Sequence, residues 1–248
     1  MQPTEMPTEG GFRLRGREVT RLETFVDAAF AFSLTLLVIF FNELPDTVAE
    51  LREALRRVPT FAVCFVLLML FWAAHNRWSR RFGLEDARST VLSLALVLVY
   101  VYPLRMMISA GLSLLTGGWV PSELGGLGGA DWLLGVQTAF MVYAAGFGLL
   151  AWLIWRLNAH ALAHADALAL DACERYETAT EIGVHRIMTG AAALSLLLSL
   201  VLLAWPPTRA WSWLVGLPMW VYAVMGAVLG MYGARRAARR AAVLGAAA

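Results

Sequence analysis

Apolar residues gather along this chain in six long blocks, separated by shorter polar stretches. The blocks run over Leu22–Phe41, Thr60–Asn76, Ser89–Leu112, Trp132–Leu157, Ile187–Trp205 and Trp211–Tyr232. A bilayer core about 30 Å thick is crossed by about 20 apolar residues in helical form, so each block predicts a transmembrane helix. The expected fold class is an all-α integral membrane protein with six transmembrane helices. The first block does not read as a signal peptide. It follows about twenty polar residues, is too long for an h-region and has no small-residue cleavage site behind it. The expected organisation is a cytoplasmic N-terminal tail over 1–20, a six-helix membrane domain over 21–233 and a basic cytoplasmic C-terminal tail over 234–248.

The polar stretches differ in charge. Four of them hold 15 arginines: the N-terminal tail, the second–third connection, the fourth–fifth connection and the C-terminal tail. The alternate connections hold 4, and Arg105 lies inside the third block. Positive charge marks the cytoplasmic side. Both termini are therefore expected to be cytoplasmic, which requires an even number of spans, and six satisfies it. The Arg235–Arg240 cluster reads as an anchor for the last helix and a contact for anionic lipid, not for nucleic acid.

Composition closes off the soluble alternatives. The chain has 248 residues, 59% of them apolar and 15% charged, with a net charge of +2. Mean hydropathy is +0.63. With glycine counted in place of tyrosine the apolar share is roughly 65%, against about 45–50% in a soluble domain. A soluble fold of this size cannot bury so large a share, and disorder needs low hydrophobicity. Cys64 lies mid-membrane in the second block and Cys173 in a cytoplasmic segment, so no disulfide is expected. All 20 basic residues are arginine. With the alanine and leucine richness, this points to a bacterium with a GC-rich genome, and so to a multi-pass protein of its cell membrane.

An ionisable side chain within a span is costly and marks a functional hypothesis. Arg21 and Asp27 stand at the cytoplasmic end of the first block, with Asp27 about 8 Å deep at about 1.5 Å per residue. The second block returns to that side with Trp72, His75, Asn76 and Arg77. Consecutive helices are usually neighbours. Asp27 is thus expected to meet His75, Asn76 or an arginine, either as a polar clamp between two helices or as a proton-carrying or gating group.

The first block reads Arg21-x-x-x-Phe25-Val26-Asp27. The run Ala28-Ala29-Phe30-Ala31-Phe32-Ser33-Leu34-Thr35-Leu36-Leu37-Val38-Ile39 follows. With Trp72 and His75 ending the second block and Pro103 in the third, this resembles the transmembrane protein 175 family, the endosomal and lysosomal potassium channel and its bacterial relatives. The family opens Arg-x-x-x-Phe-Ser-Asp, so Val26 departs from it. The resemblance implies a channel of four six-span units, assembled here as a homotetramer. Its first span lines a central pore closed by a hydrophobic constriction instead of a carbonyl filter. It places the main constriction at Phe32, where the family usually has Ile or Leu, with Leu36 and Ile39 as further apolar layers. Thr35 becomes a pore-lining hydroxyl and Glu43 an acid at the outer mouth. Arg21, Phe25, Asp27, Trp72 and His75 become the network locking the first two spans together. The implied partners are potassium or other monovalent cations and the lipid bilayer, with no cofactor.

Helix geometry fits that stripe. At about 100° per residue, Phe25, Ala28, Leu36, Ile39 and Glu43 all fall within about 40° of Phe32, and Thr35 sits on the flank at about 60°. An apolar gate with an acidic ring at its mouth suits a cation pore. The plain alternative is a lipid- or helix-facing stripe with Glu43 reaching to the interface. Two rival functions stay open. Val26 and Phe32 favour a non-conducting structural or regulatory protein on the same scaffold. A proton-coupled transporter would use Asp27, His75 and Arg105, but neither repeat symmetry nor a broken midplane helix is visible. An enzyme is not expected, because no catalytic set converges. His160 and His164, near Asp166, read as a solvated helix face, since a zinc site needs three or four ligands; no metal site is expected. Arg105 is expected to pair with Glu43, Asp46 or a free carbonyl.

Overall fold

The computed structural model describes residues 7–9, 11–16, 18–39, 45–96, 101–124 and 132–246. A small hairpin comes first, β1 (Thr8–Glu9) and β2 (Phe12–Arg13). Then follow α1 (Arg21–Ile39), α2 (Val48–Phe82), α3 (Ala87–Ala95), α4 (Val101–Leu115), α5 (Trp132–Ala163) and α6 (Ala172–Ala204). A 3-10 segment, Arg209–Gly216, leads into α7 (Leu217–Ala246). The hairpin departs from an all-α reading. It pairs Thr8 with Arg13 and Glu9 with Phe12, and turns through Gly11 at a φ of 86°.

Among the described residues, four helical stretches are long and apolar enough to cross a membrane: α2, α5, α6 and Trp211–Arg240. α1, at 19 residues, is about 28 Å long at about 1.5 Å per residue. α2 has 35 residues and reaches about 52 Å, so it overruns the predicted Thr60–Asn76 at both ends. Its ends are set locally. The Thr47 side chain accepts the Glu50 N–H, and Gly83 closes the helix at a φ of 58°, a left-handed conformation that suits glycine.

The third block differs from the expected single span, because α3 and α4 are separate helices. Pro103 occupies the third position of α4. It has no N–H to donate to the carbonyl four residues back, so a helix running through would lose a bond there. In a first turn that N–H has no intrahelical partner anyway. Residues 97–100, between the two helices, lie outside the described residues.

α5 sits at the centre and α7 at the edge: 44% of the α5 span is buried against 11% of the last one. α5 lies mainly against α6. A Cβ on Gly148 would stand 2.8 Å from the Ala192 Cβ, so a small residue is what lets these two backbones approach. The core joins Val26, Phe30 and Leu37 of α1, Leu68 and Phe71 of α2, Leu104 of α4, and Phe147, Leu150 and Ile154 of α5. Leu194, Leu197, Leu200, Trp220 and Val224 point outward and are exposed, as a lipid-facing surface requires.

Candidate functional site: the first helix and its anchor

α1 starts at a reciprocal capping box. Thr20 N–H donates to Glu23 Oε2 at 2.8 Å, and Glu23 N–H donates to Thr20 Oγ1 at 3.1 Å, satisfying two donors that a helix start leaves free. From there the helix has two faces. Val26, Phe30, Ser33 and Leu37 are buried against the bundle. Phe25, Ala28, Phe32 and Thr35 are exposed, Phe32 at 63%. Leu36 is half-buried at the boundary. Thr35 Oγ1 donates to the Ala31 carbonyl at 3.0 Å, so its hydroxyl is folded back onto its own helix. The Ile39 side chain and Glu43 lie outside the described residues. Val26, the position at which the first block departs from the family pattern, is fully buried.

The polar contacts near the start of α1 differ in partner from the expected ones. Asp27 meets Trp72, whose indole Nε1–H donates to Asp27 Oδ1 at 2.7 Å. His75 turns instead to α3, where its Nε2 and Ser93 Oγ hydrogen-bond at 3.0 Å. Arg21 and His75 both line a cleft of about 620 Å³ shared with Arg15, Glu23 and Trp78. Trp72→Phe keeps the ring and removes the donor. Thermal unfolding in detergent is expected to show a loss of about 1–2 kcal/mol, and no further loss in an Asp27→Ala background.

Beneath this cleft the N-terminal tail is tied down. Phe12 packs edge-on against Phe82, with ring centroids 5.5 Å apart. Gly16 N–H donates to the Arg80 carbonyl at 3.0 Å. A Cβ at Gly16 would stand 2.6 Å from the Ser79 carbonyl oxygen, so only glycine passes here. The strongest tie is Glu174, whose side chain is fully buried. Arg13 donates to it from its backbone N–H at 2.9 Å, from Nε at 3.1 Å and from Nη2 at 2.6 Å. Arg15 adds Nη1 at 3.2 Å and Nη2 at 2.8 Å. Glu174 also completes a capping box with Asp171 at the start of α6. Burial pushes its carboxyl up, but the Arg13 and Arg15 hydrogen bonds outweigh that and hold it at about 2. The sequence reading missed this anchor, although Asp171-x-x-Glu174 spells the capping box.

Two other expectations are corrected, and a third gains a partner. Arg105 Nε pairs with Glu123 at 2.6 Å, an acid the sequence reading did not name, because the segment after α4 folds back until Glu123 N–H donates to Ser109 Oγ; the expected partner Glu43 lies outside the described residues. His160 is buried, not solvated, and its Nε2 lies 2.5 Å from Asp86 Oδ2, while Asp166 pairs with Arg175. Arg236 lies over the Tyr176 ring at 3.9 Å and Arg240 pairs with Glu177 at 2.6 Å. Part of the C-terminal cluster therefore grips α6 rather than lipid. Cys64 and Cys173 are free.

Long apolar helices with leucine and tryptophan turned outward and polar ties at one end define a multi-pass α-helical membrane protein. The sequence model of the family described as endosomal/lysosomal potassium channel TMEM175 matches residues 21–103, from the start of α1 into α4. A protein of Marivirga tractuosa named "Potassium channel" is 30% identical over 206 residues, covering 77% of this chain and 78% of its own. The crystal structure of the potassium channel MtTMEM175, solved as a variant bound to a nanobody–MBP fusion, superposes with a TM-score of 0.75. It is 26% identical and covers 93% of this chain and 98% of its own. The chain belongs to the transmembrane protein 175 family of potassium channels.

Proposed function

We propose that the protein is a potassium-conducting cation channel whose pore is lined by α1 from four copies of the chain. Phe32 forms the main constriction, with Leu36 and Ile39 as further apolar layers, Thr35 on the flank and Glu43 at the outer mouth. Arg21, Phe25, Asp27, Trp72 and His75 hold the cytoplasmic ends of α1 and α2 in register. The six crossings are α1, α2, α3 with α4 as one interrupted span, α5, α6 and α7. Both tails, 1–20 and 234–248, are cytoplasmic, in keeping with the 15 to 4 arginine bias, and the membrane is the bacterial cell membrane.

The observation that carries this reading is the uncovered face of α1. Phe25 and Phe32 are 55% and 63% exposed in a single chain. They share that face with Ala28 and the Thr35 hydroxyl. One chain offers one such helix, so enclosing an axis takes several copies. The names of the relatives favour potassium. Purified protein in liposomes is expected to carry potassium flux. The bulk of the Phe32 ring favours a second reading, a non-conducting member on the same scaffold. Absent flux across voltage and pH would establish that reading in place of the channel.

A further inference from the structure

We propose that Asp86, His160 and His164 form a binding site for a divalent transition-metal ion, zinc in the first instance, at the cytoplasmic end of the bundle. One ligating atom from each residue lies within 4.8 Å of the other two, although Asp86 is far from the histidines in sequence. Two histidines and a carboxylate are a donor set that zinc takes readily, leaving a fourth tetrahedral position for water. His160 and His164 are four apart at the end of α5, a spacing that puts two imidazoles on one helix face. Their rings are 4.5 Å apart between centroids.

The hydrogen bonds already orient the donors. His164 Nδ1 lies 3.0 Å from the His160 carbonyl oxygen. A carbonyl only accepts, so Nδ1 carries the proton and Nε2 presents a bare lone pair. That is the arrangement in which metal-binding histidines are usually held. His160 is 6% exposed, and its Nδ1 is buried with no hydrogen-bond partner. Moving this ring toward an ion therefore breaks only its bond to Asp86. The Asp86 side chain is 41% exposed and His164 is also exposed, so an ion can enter from solvent. Asp86 Oδ1 accepts the Ser89 N–H at 2.7 Å at the start of α3, leaving Oδ2 for the ion. Bond lengths of about 2.0–2.2 Å require the three donor atoms to settle about 3.3 Å apart. The histidine donors draw in from their present spread, and Asp86 opens slightly from His160. The ion takes the place of the proton now held between His160 and Asp86, and fastens the α2–α3 turn to the end of α5.

The test is titration of untagged, detergent-purified protein with Co²⁺, followed by its visible absorption, and with Zn²⁺ in competition. One equivalent per chain with the intense tetrahedral cobalt band is expected. His164→Gln and Asp86→Asn should each weaken binding at least tenfold. Asparagine caps a helix as well as aspartate, so the second variant keeps α3, and circular dichroism checks both. A cobalt spectrum that stays octahedral overturns the site. So does binding by either variant as tight as by the wild type. Neither readout involves ion flux, so the outcome is independent of the channel reading.

Discussion

Phe32→Asn is expected to raise cation flux through proteoliposomes at least tenfold and to weaken the preference for potassium over sodium. A tenfold gain corresponds to about 1.4 kcal/mol off the barrier to permeation. In the proposed pore, an ion at the Phe32 ring loses hydrating water and gains only an aromatic wall, and an apolar constriction also tends to dewet. Asparagine is shorter and brings an amide that both donates and accepts. It therefore widens the path and replaces some of the lost hydration. The substitution should leave the fold intact, because Phe32 is 63% exposed in the chain and its truncation opens no core cavity. Phe30 is the control. It lies two positions away and is 2% exposed, so Phe30→Asn buries an unpartnered amide and should lower the unfolding temperature. Unchanged flux and selectivity in a folded Phe32→Asn protein would remove α1 from the pore. The aromatic face would then be a contact with lipid or with another helix.

The legible parts of this structure are those fixed by local chemistry. Apolar length placed α1 and α5, because a helix that must satisfy its own backbone in lipid has little choice; α6 starts at Ala172, well before the predicted Ile187. The same argument failed for α2 beyond Thr60 and Asn76. There the helix leaves the apolar layer and carries arginine and glutamate, so its ends are written in Thr47 and Gly83 instead. The start of α4 at Val101 was not read from Pro103, since one proline is compatible with either a kink or a new start. For Asp27 the neighbouring helix was legible, but the partner was not. Trp72 and His75 lie one turn apart on α2, and packing decides which of them reaches α1 and which reaches Ser93. Pairs such as Asp86 with His160, or Arg13 with Glu174, join segments far apart in the chain. Nothing in periodicity or spacing encodes such pairs, although each acid announces itself locally as a helix cap. Whether α1 faces a pore depends on copies of the chain, and that information was carried by the family resemblance alone.

Glu174→Gln is expected to cost about 3–5 kcal/mol of stability, because it leaves two half-buried arginines around a neutral amide at a buried position. Arg13 and Arg15 have side chains only 18% and 9% exposed, and both bond the carboxylate at 2.8 Å or less. Glutamine offers one acceptor oxygen in place of two and no charge. The effect should depend on pH in a defined sense. The carboxyl sits at about 2 in the fold against an ordinary value of 4.5. Its contribution is therefore fully present above about pH 4.5 and is lost as pH falls through about 2. Thermal unfolding in detergent should show wild type and Glu174→Gln far apart at neutral pH and converging between about pH 4.5 and 2. The anchor also controls the chain leading into α1, because Gly16, held against Arg80, stands just before the capping box at Thr20. Limited proteolysis of the N-terminal tail should therefore accelerate in the variant even at temperatures where the apolar bundle stays folded. A gap between the two proteins that is absent at neutral pH, or that persists unchanged down to pH 2, would show that the arginines do not rely on Glu174. The tail would then be held by Phe12, Gly16 and the arginine bonds to the Leu168 and Ala169 carbonyls. Accelerated cleavage together with a pH-dependent gap would instead make the α6 start the fixed point against which the start of α1 is positioned.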